Sequence, residues 1–264
     1  MTFDNHLAPE TVNAVYPVEA ITVYRNGSVL VHRANKLQGE RPRGERRPIK
    51  RLSSTSLARL AIVAKETHIT FETMITLTYG PQFPTSGQEV KSQLRIFLTS
   101  MRQHFGKFDY LWFLEFQRRG APHIHVMTDL DSPTIADRLC MAECWVYDAQ
   151  QLPPVYYSSM RTKRLHLLNI ASLEVHIHRK SWDTIRSQGG AAHYVTKYAT
   201  KTEQKEVPQT FRDVGRFWAC SQRVGRIEGV RVDMSEEELR LILDGKSCRV
   251  GDWDVLPKYI YDVF

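Results

Sequence analysis

The hydrophobic and polar positions of the chain change period several times, and each period predicts a type of element. Residues 20–33 carry two β-rich runs on either side of Asn26-Gly27, a dipeptide that accepts the positive φ angles of a tight turn. This pattern predicts a β-hairpin near the N-terminus. Apolar residues then recur at helical spacing from Leu57 to Ala64, and Ser54 to Ser56 are predicted to cap that helix.

The same reasoning extends through the rest of the chain. Apolar runs and alternation predict strands at 74–79, 110–116, 123–128 and 173–178. Helical spacing predicts helices over 90–105, after Ser132-Pro133 and from near Ala191. Because strands and helices mix without strict alternation, we expect an α+β domain with a central antiparallel sheet of about five strands, covered by helices.

Charge divides the chain into regions. The net charge is +7, and 42% of the residues are hydrophobic, which is enough for a sizeable core and favours a polyanionic partner. Residues 33–51 alone carry +6, whereas residues 233–264 carry −4. We therefore predict an N-terminal hairpin and basic loop (1–52), a central domain (53–220) and an acidic C-terminal extension (221–264).

The four cysteines form no CxxC pair, so neither a disulfide framework nor a zinc ribbon is expected. Cys140 and Cys144, four residues apart on a predicted helix, could face one metal ion together, but we interpret them as small buried thiols. No apolar run approaches the length of a membrane span, and the first residues lack the pattern of a signal peptide. We expect a soluble cytoplasmic protein without a membrane partner.

Residues 111–126 predict a hairpin with two chemically different faces. Strand alternation puts an apolar set on one face, namely Leu114, Phe116, Ile124 and Val126, and a polar set on the other, namely Glu115, Gln117, His123 and His125. A loop of three or five residues would place Glu115 opposite His123 or His125. Two imidazoles and one carboxylate can hold a divalent cation and leave positions for phosphate oxygens and water. A second His-x-His, at 176–178, has Leu168 where the glutamate would stand, so we interpret it as ordinary strand histidines.

A second group of reactive side chains lies in residues 189–201. On a helix, four of them share an arc about 100° wide, and these are Tyr194, Lys197, Tyr198 and Lys201. A phenol has a pKa of about 10 and needs a nearby cation or a polarised phosphate to act as a nucleophile, and the two lysines are suitable cations. The alternative is a solvated lysine face with amphipathic tyrosines.

Three blocks in this order, Thr76 to Tyr79, Pro122 to His125 and Tyr194 to Tyr198, resemble the three motifs of the HUH superfamily. The resemblance is to rolling-circle replication initiators (Rep proteins) of small plasmids and single-stranded DNA phages, of the two-tyrosine type. The interval from Glu115 to His123 and the later GRFW block (215–218) are similar to the same family. The resemblance covers about residues 70–220.

The resemblance implies a nicking and joining endonuclease, with residues 53–220 as its HUH domain. Glu115, His123 and His125 would hold Mg²⁺ or Mn²⁺ against the scissile phosphate. Tyr194 would attack, leaving a 5′-phosphotyrosine link and a free 3′-OH, while Lys197 positions the phosphate or stabilises charge. Tyr198 would attack at the end of a round, although a one-tyrosine mechanism through Tyr194 stays open.

The implied partner is single-stranded DNA at a replication origin, in a stem-loop, within a prokaryotic cytoplasm. Candidate DNA contacts are Thr76, Thr78, Tyr79, Arg118, Arg119 and Lys201. The threonines could equally reflect β-propensity, and Tyr79 could be a core aromatic. Residues 245–247 read GKS but lack the first glycine of a P-loop, so a host helicase and polymerase are expected. A relaxase, a tyrosine transposase and a non-catalytic nucleic-acid-binding regulator stay open as alternatives.

Overall fold

A computed structural model describes residues 18–33, 49–131, 134–152, 195, 206–233, 235–243, 248–250, 253–255 and 260–262. The helices are α1 (Ser54–Glu66), α2 (Gly87–Phe105), α3 (Ile135–Glu143), which a π-helical turn (Cys144–Ala149) continues, and α4 (Glu236–Leu243). The first six strands are β1 (Val18–Tyr24), β2 (Val29–Arg33), β3 (Thr73–Leu77), β4 (Tyr110–Phe116), β5 (Pro122–Thr128) and β6 (Trp218–Cys220). The last four are β7 (Gly229–Asp233), β8 (Cys248–Val250), β9 (Trp253–Val255) and β10 (Ile260–Asp262).

The central sheet has the strand order β3-β5-β4-β6 and is antiparallel throughout. On one face, Leu114 and Ile124 belong to a core cluster with apolar residues of α2 and α3. On the other face, Phe113 and Met127 belong to a second cluster with residues of α1. Because helices cover both faces, β3 and β4 are apolar almost without interruption and bury nearly every position. The predicted α+β class with a helix-covered antiparallel sheet is confirmed.

A second four-stranded sheet joins the two ends of the chain. Its order is β10-β2-β1-β7, in which β7 pairs antiparallel with β1 and β10 runs parallel to β2. The predicted hairpin is therefore present, and Gly27 has the positive φ (+82°) that its turn requires. The segments that the sequence assigned to separate N-terminal and C-terminal regions are paired in one sheet, while the domain boundaries themselves stay predictions.

Two helix starts differ from the sequence predictions by one or two residues. The N-cap of α1 is Ser53, whose side chain accepts a hydrogen bond from the Ser56 N–H, rather than a residue of 54–56. The N-cap of α3 is Thr134, which forms a reciprocal capping box with Asp137, so the helix does not begin at Ser132-Pro133. In both cases the hydroxyl nearest the first free N–H groups takes the capping role.

Within the described ranges, no helix has both the length and the apolar character needed to cross a membrane. Several predicted features lie outside the described residues. These are the strand at 173–178, most of the basic loop, the GKS sequence at 245–247 and the helix from near Ala191 apart from Val195.

Candidate metal and nucleic-acid site

The β4–β5 hairpin brings the predicted carboxylate and histidines onto neighbouring strands. Its loop has five residues, 117–121, and is closed by the Gln117 N–H donating to the Ala121 carbonyl at 2.9 Å. Gly120 supplies the positive φ of +82° in this turn. With this loop length Glu115 lies directly opposite His123, as the sequence predicted.

Glu115 and His125 form a buried pair. The Glu115 Oε2 atom lies 3.4 Å from His125 Nε2, and the two residues are 5% and 2% exposed. On its other edge, His125 Nδ1 lies 3.2 Å from the hydroxyl of Thr76, the residue opposite it on β3. The Phe113 ring stacks on the imidazole with centroids 4.8 Å apart. The imidazole is therefore oriented on both edges and one side by three strands of the sheet.

His123 is half-buried beside this pair, with its ring centroid 4.6 Å from that of His125. Its Nδ1 atom lies 3.3 Å from Gln117 Nε2. Arg119 Nε donates to Gln117 Oε1 at 2.8 Å, which turns the amide nitrogen of Gln117 toward the histidine. An amide nitrogen can only donate, so His123 Nδ1 is the acceptor in this arrangement.

The guanidinium of Arg119 also ties the hairpin loop to the end of β3. It donates to the Gly80 carbonyl at 2.6 Å and to the Tyr79 carbonyl, and it lies over the ring of Phe83. Its donors on this side are therefore directed at the protein. We conclude that Arg119 organises the loop around His123, whereas Arg118 is exposed and available to a ligand.

The donor set on this face suits a divalent cation. Two imidazoles and a carboxylate are ligands that Mg²⁺, Mn²⁺ and other first-row cations accept. Glu115 and His125 are already in contact, while the ligand atoms of the full set with His123 do not all lie within 4.8 Å of one another. Among the described residues, that distance condition is met by His104, Cys140 and Cys144.

Three of the predicted DNA contacts are buried. Tyr79 is 1% exposed, packs edge-on against Trp145 with centroids 5.1 Å apart, and donates its hydroxyl to Gln93 Oε1 at 2.6 Å. Burial raises the pKa of this phenol above its ordinary value. Tyr79 is thus the core aromatic that the sequence left as an alternative. Thr78 is fully buried and Thr76 is 7% exposed, so Thr76 contributes here by orienting His125.

The predicted nucleophile and its cations lie outside the described residues, namely Tyr194, Lys197, Tyr198 and Lys201. Val195, the described residue of that segment, is helical and 1% exposed. It belongs to the core cluster that includes Phe113 and Met127, which lie on the same strand face as Glu115 and His125. Val195 is therefore buried on the side of the sheet that carries the candidate ligands.

A basic groove, which the sequence analysis missed, lies at the start of α1. Its volume is about 690 Å³, and its lining includes Arg51, Arg59, Arg216 and Trp218. The three arginines are exposed, and the N-terminal end of α1 adds the positive end of a helix dipole. Trp218 is held in place by its indole N–H, which donates to the carbonyl and hydroxyl of Ser56 at 3.0 and 2.9 Å.

The GRFW block explains one wall of this groove. Gly215 turns the chain with a φ of +63°, Phe217 is buried against Phe116, and Arg216 and Trp218 line the groove. Trp218 pairs with Phe113, two residues before Glu115 on β4. The block was the available signal, because it combines a turn, a cation and two aromatics in four residues.

Comparison with protein families gives one result that bears on this site. The family model for the replication-associated protein ORF2 matches residues 72–203, which is half of the chain and includes β3, α2, the β4–β5 hairpin and the tyrosine segment. No curated protein and no solved structure matches the chain. On the extent of this family match, the chain belongs to the replication-associated protein ORF2 family.

Proposed function

We propose that this protein is a replication initiator endonuclease that nicks and rejoins single-stranded origin DNA through a tyrosine. The observation that carries the proposal is the grouping of Glu115, His123 and His125 on the sheet face where Val195 is buried. The four residues before and after Val195 include both candidate tyrosines. The family match supports a role in replication, and the ligand set supports phosphate chemistry.

In the proposed reaction, the Tyr194 oxygen attacks the scissile phosphorus and the bond to the 3′ oxygen breaks. The phenol proton leaves to solvent or a nearby base, and the departing 3′ oxygen takes up a proton to become a 3′-OH. The product is a 5′-phosphotyrosine, which keeps one phosphodiester bond for each bond broken, so that rejoining needs no ATP. Tyr198 performs the second transfer, and Lys197 stabilises negative charge on the phosphate.

The chain's own residues organise this chemistry around a divalent cation, Mn²⁺ or Mg²⁺, held by Glu115, His123 and His125. When bound, such a cation polarises the phosphate oxygens. Thr76 and Phe113 orient His125, and the Arg119–Gln117 contact orients His123. Burial of Glu115 and His125 keeps bulk water from this side of the ligand set, which strengthens electrostatic interactions there.

The basic groove supplies a path for the DNA strand toward this site. Arg51, Arg59 and Arg216 are suited to phosphates, and Trp218 offers an aromatic surface beside them. β6 carries Trp218 next to β4, so the groove and the ligand set are formed by neighbouring strands. Replacing Arg59 and Arg216 together by Gln is expected to weaken binding of single-stranded DNA and to reduce its salt dependence.

The decisive experiment detects the covalent intermediate. Purified protein is incubated with Mn²⁺ and single-stranded oligonucleotides that tile its own origin, and the products are separated on a denaturing gel. We expect a protein–DNA adduct with the wild type and with Tyr147→Phe, a matched control for a tyrosine outside the motif. The double variant Tyr194→Phe/Tyr198→Phe is expected to give no adduct, and an undiminished adduct from it would contradict the proposal.

The metal ligands are tested in the same assay. His125→Ala and Glu115→Gln are expected to abolish the adduct, whereas His68→Ala, at an exposed histidine outside the site, keeps it. Salt-sensitive DNA binding that is indifferent to these changes, without any adduct, would instead support a non-catalytic regulator. Adduct formation on transfer-locus or element-end sequences rather than the origin would indicate a relaxase or a transposase.

A further inference from the structure

Three side chains with metal-binding chemistry meet where the end of α2 packs beside α3. The ligand atoms of His104, Cys140 and Cys144 all lie within 4.8 Å of one another. His104 is exposed, Cys140 is half-buried and Cys144 is 1% exposed. The cluster is thus open on one side and closed on the other. None of these residues has a role in the proposed DNA chemistry.

The two cysteines are brought together by the helix itself. Cys140 and Cys144 are one turn apart, and their thiols are hydrogen-bonded to each other. The helix changes from α to π geometry at Cys144, and the Cys144 N–H is shared between the carbonyls of Cys140 and Met141. Such π turns often occur at functional sites, because the extra residue redirects side chains.

The next residue anchors this part of the helix in the core. Trp145 is completely buried, and its indole N–H donates to the Thr78 carbonyl at 2.7 Å. Its ring packs edge-on against Phe97 of α2 with centroids 5.9 Å apart. Both helices that carry the cluster are therefore fixed against each other and against β3, so the three ligand atoms are held in place before any ion binds.

The third ligand comes from a different part of the chain. His104 lies in the last turn of α2, whereas the cysteines follow only after the whole β4–β5 hairpin. Acidic side chains at Glu143 and Asp148 act electrostatically on Cys140 and favour a cation nearby. A bridging ion here would cross-link two helices that both cover the same face of the central sheet.

We propose that His104, Cys140 and Cys144 bind Zn²⁺, with water or a carboxylate as the fourth ligand. Two thiolates and an imidazole match the sulfur and nitrogen donors that zinc selects in tetrahedral sites. The hard cations Mg²⁺ and Mn²⁺ prefer oxygen, so this site and the Glu115 site differ in the metal that they take. The two sites lie on opposite faces of the sheet, because α2 and α3 cover the Leu114 face. The zinc ion cross-links α2 to α3.

Cobalt(II) is the probe that separates the two sites, because only thiolate ligands give sulfur-to-cobalt charge transfer in the near ultraviolet. The full chain is reduced with a non-chelating phosphine, stripped of metal and titrated with Co²⁺. We expect one equivalent to produce the charge-transfer band together with tetrahedral d–d absorption, and Zn²⁺ to displace it. Zn²⁺ is also expected to raise the melting temperature.

The variants assign the band to the cluster. His104→Ala and Cys140→Ser are expected to lower Co²⁺ affinity by at least about tenfold, and both change residues that are not fully buried, so folding is preserved. Cys220→Ser and His123→Ala are expected to leave the band unchanged, since those residues lie elsewhere. A reduced wild-type protein without a thiolate band, or a band that His104→Ala does not affect, would overturn the proposal. Neither result depends on nicking activity, so the proposed function can fail or stand separately.

Discussion

Glu66 connects the N-terminal hairpin to the central domain, and its removal should have a large effect on stability. Its carboxylate is 7% exposed and accepts two backbone hydrogen bonds across the chain. Oε2 accepts from the Asn26 N–H at 2.6 Å and Oε1 from the Ser28 N–H at 3.0 Å. Both donors flank Gly27, so one side chain at the end of α1 holds the hairpin turn.

The expected magnitude follows from these contacts. A hydrogen bond to a charged group contributes about 1.5–3 kcal/mol when buried, and Ser28 is completely buried. Asn26 is exposed, so water can replace its lost partner at a cost of about 1 kcal/mol or less. Glu66→Ala should therefore lower the free energy of unfolding by about 3 kcal/mol. Glu66→Gln keeps one acceptor oxygen and should cost about 2 kcal/mol.

The measurement is urea unfolding followed by circular dichroism, combined with hydrogen exchange at the Ser28 amide. Glu228→Ala, at an exposed glutamate, is the matched control and should change the free energy of unfolding by less than about 0.5 kcal/mol. In Glu66→Ala the Ser28 amide should exchange faster than in the control. A Glu66→Ala protein as stable as Glu228→Ala, with Ser28 still protected, would refute the role assigned to this carboxylate.

Three further predictions test other parts of the structure. Burial lowers the pKa of Lys91 to about 8, so the unfolded chain binds more protons above that pH and wild-type stability should rise toward pH 10.5; Lys91→Met should remove this rise and add up to about 3 kcal/mol at pH 7, as measured by urea unfolding at both pH values. In Gln117→Glu, a carboxylate that accepts from both neighbours should move the neutral His123 proton from Nε2 to Nδ1, which ¹⁵N NMR detects; an unchanged tautomer would contradict the role given to Gln117 and Arg119. Thr134→Ala removes the capping box of α3 and should cost about 1 kcal/mol, whereas Thr134→Ser should cost little.

The local period of the sequence was sufficient for the elements and for much of the candidate site. Alternation along 110–116 and 122–128 separated the Glu115 face from the Leu114 face, and the five-residue loop then set Glu115 opposite His123. These results depend on strand geometry and loop length, which are properties of neighbouring residues. The tyrosine segment stays a prediction, since among its residues only Val195 is described.

Other features depended on which distant surfaces pack together. Tyr79 was an open choice between DNA and core, and the placement of Trp145 beside it decided for the core. The histidine face looked open to solvent from alternation alone, yet α1 covers part of it and leaves His125 2% exposed. A side chain's period states which face it occupies, but only the packing partner states whether that face is wet.

The sequence by itself determined the helices, the strands, the turn at Asn26-Gly27 and the order of the catalytic motifs, because these follow from side-chain spacing along a few residues. Only the tertiary structure decided that the two ends of the chain share one sheet and that His104 meets Cys140 and Cys144. Those contacts join residues tens to hundreds of positions apart. Their formation depends on how much surface each element buries against the others, a quantity that no local pattern contains.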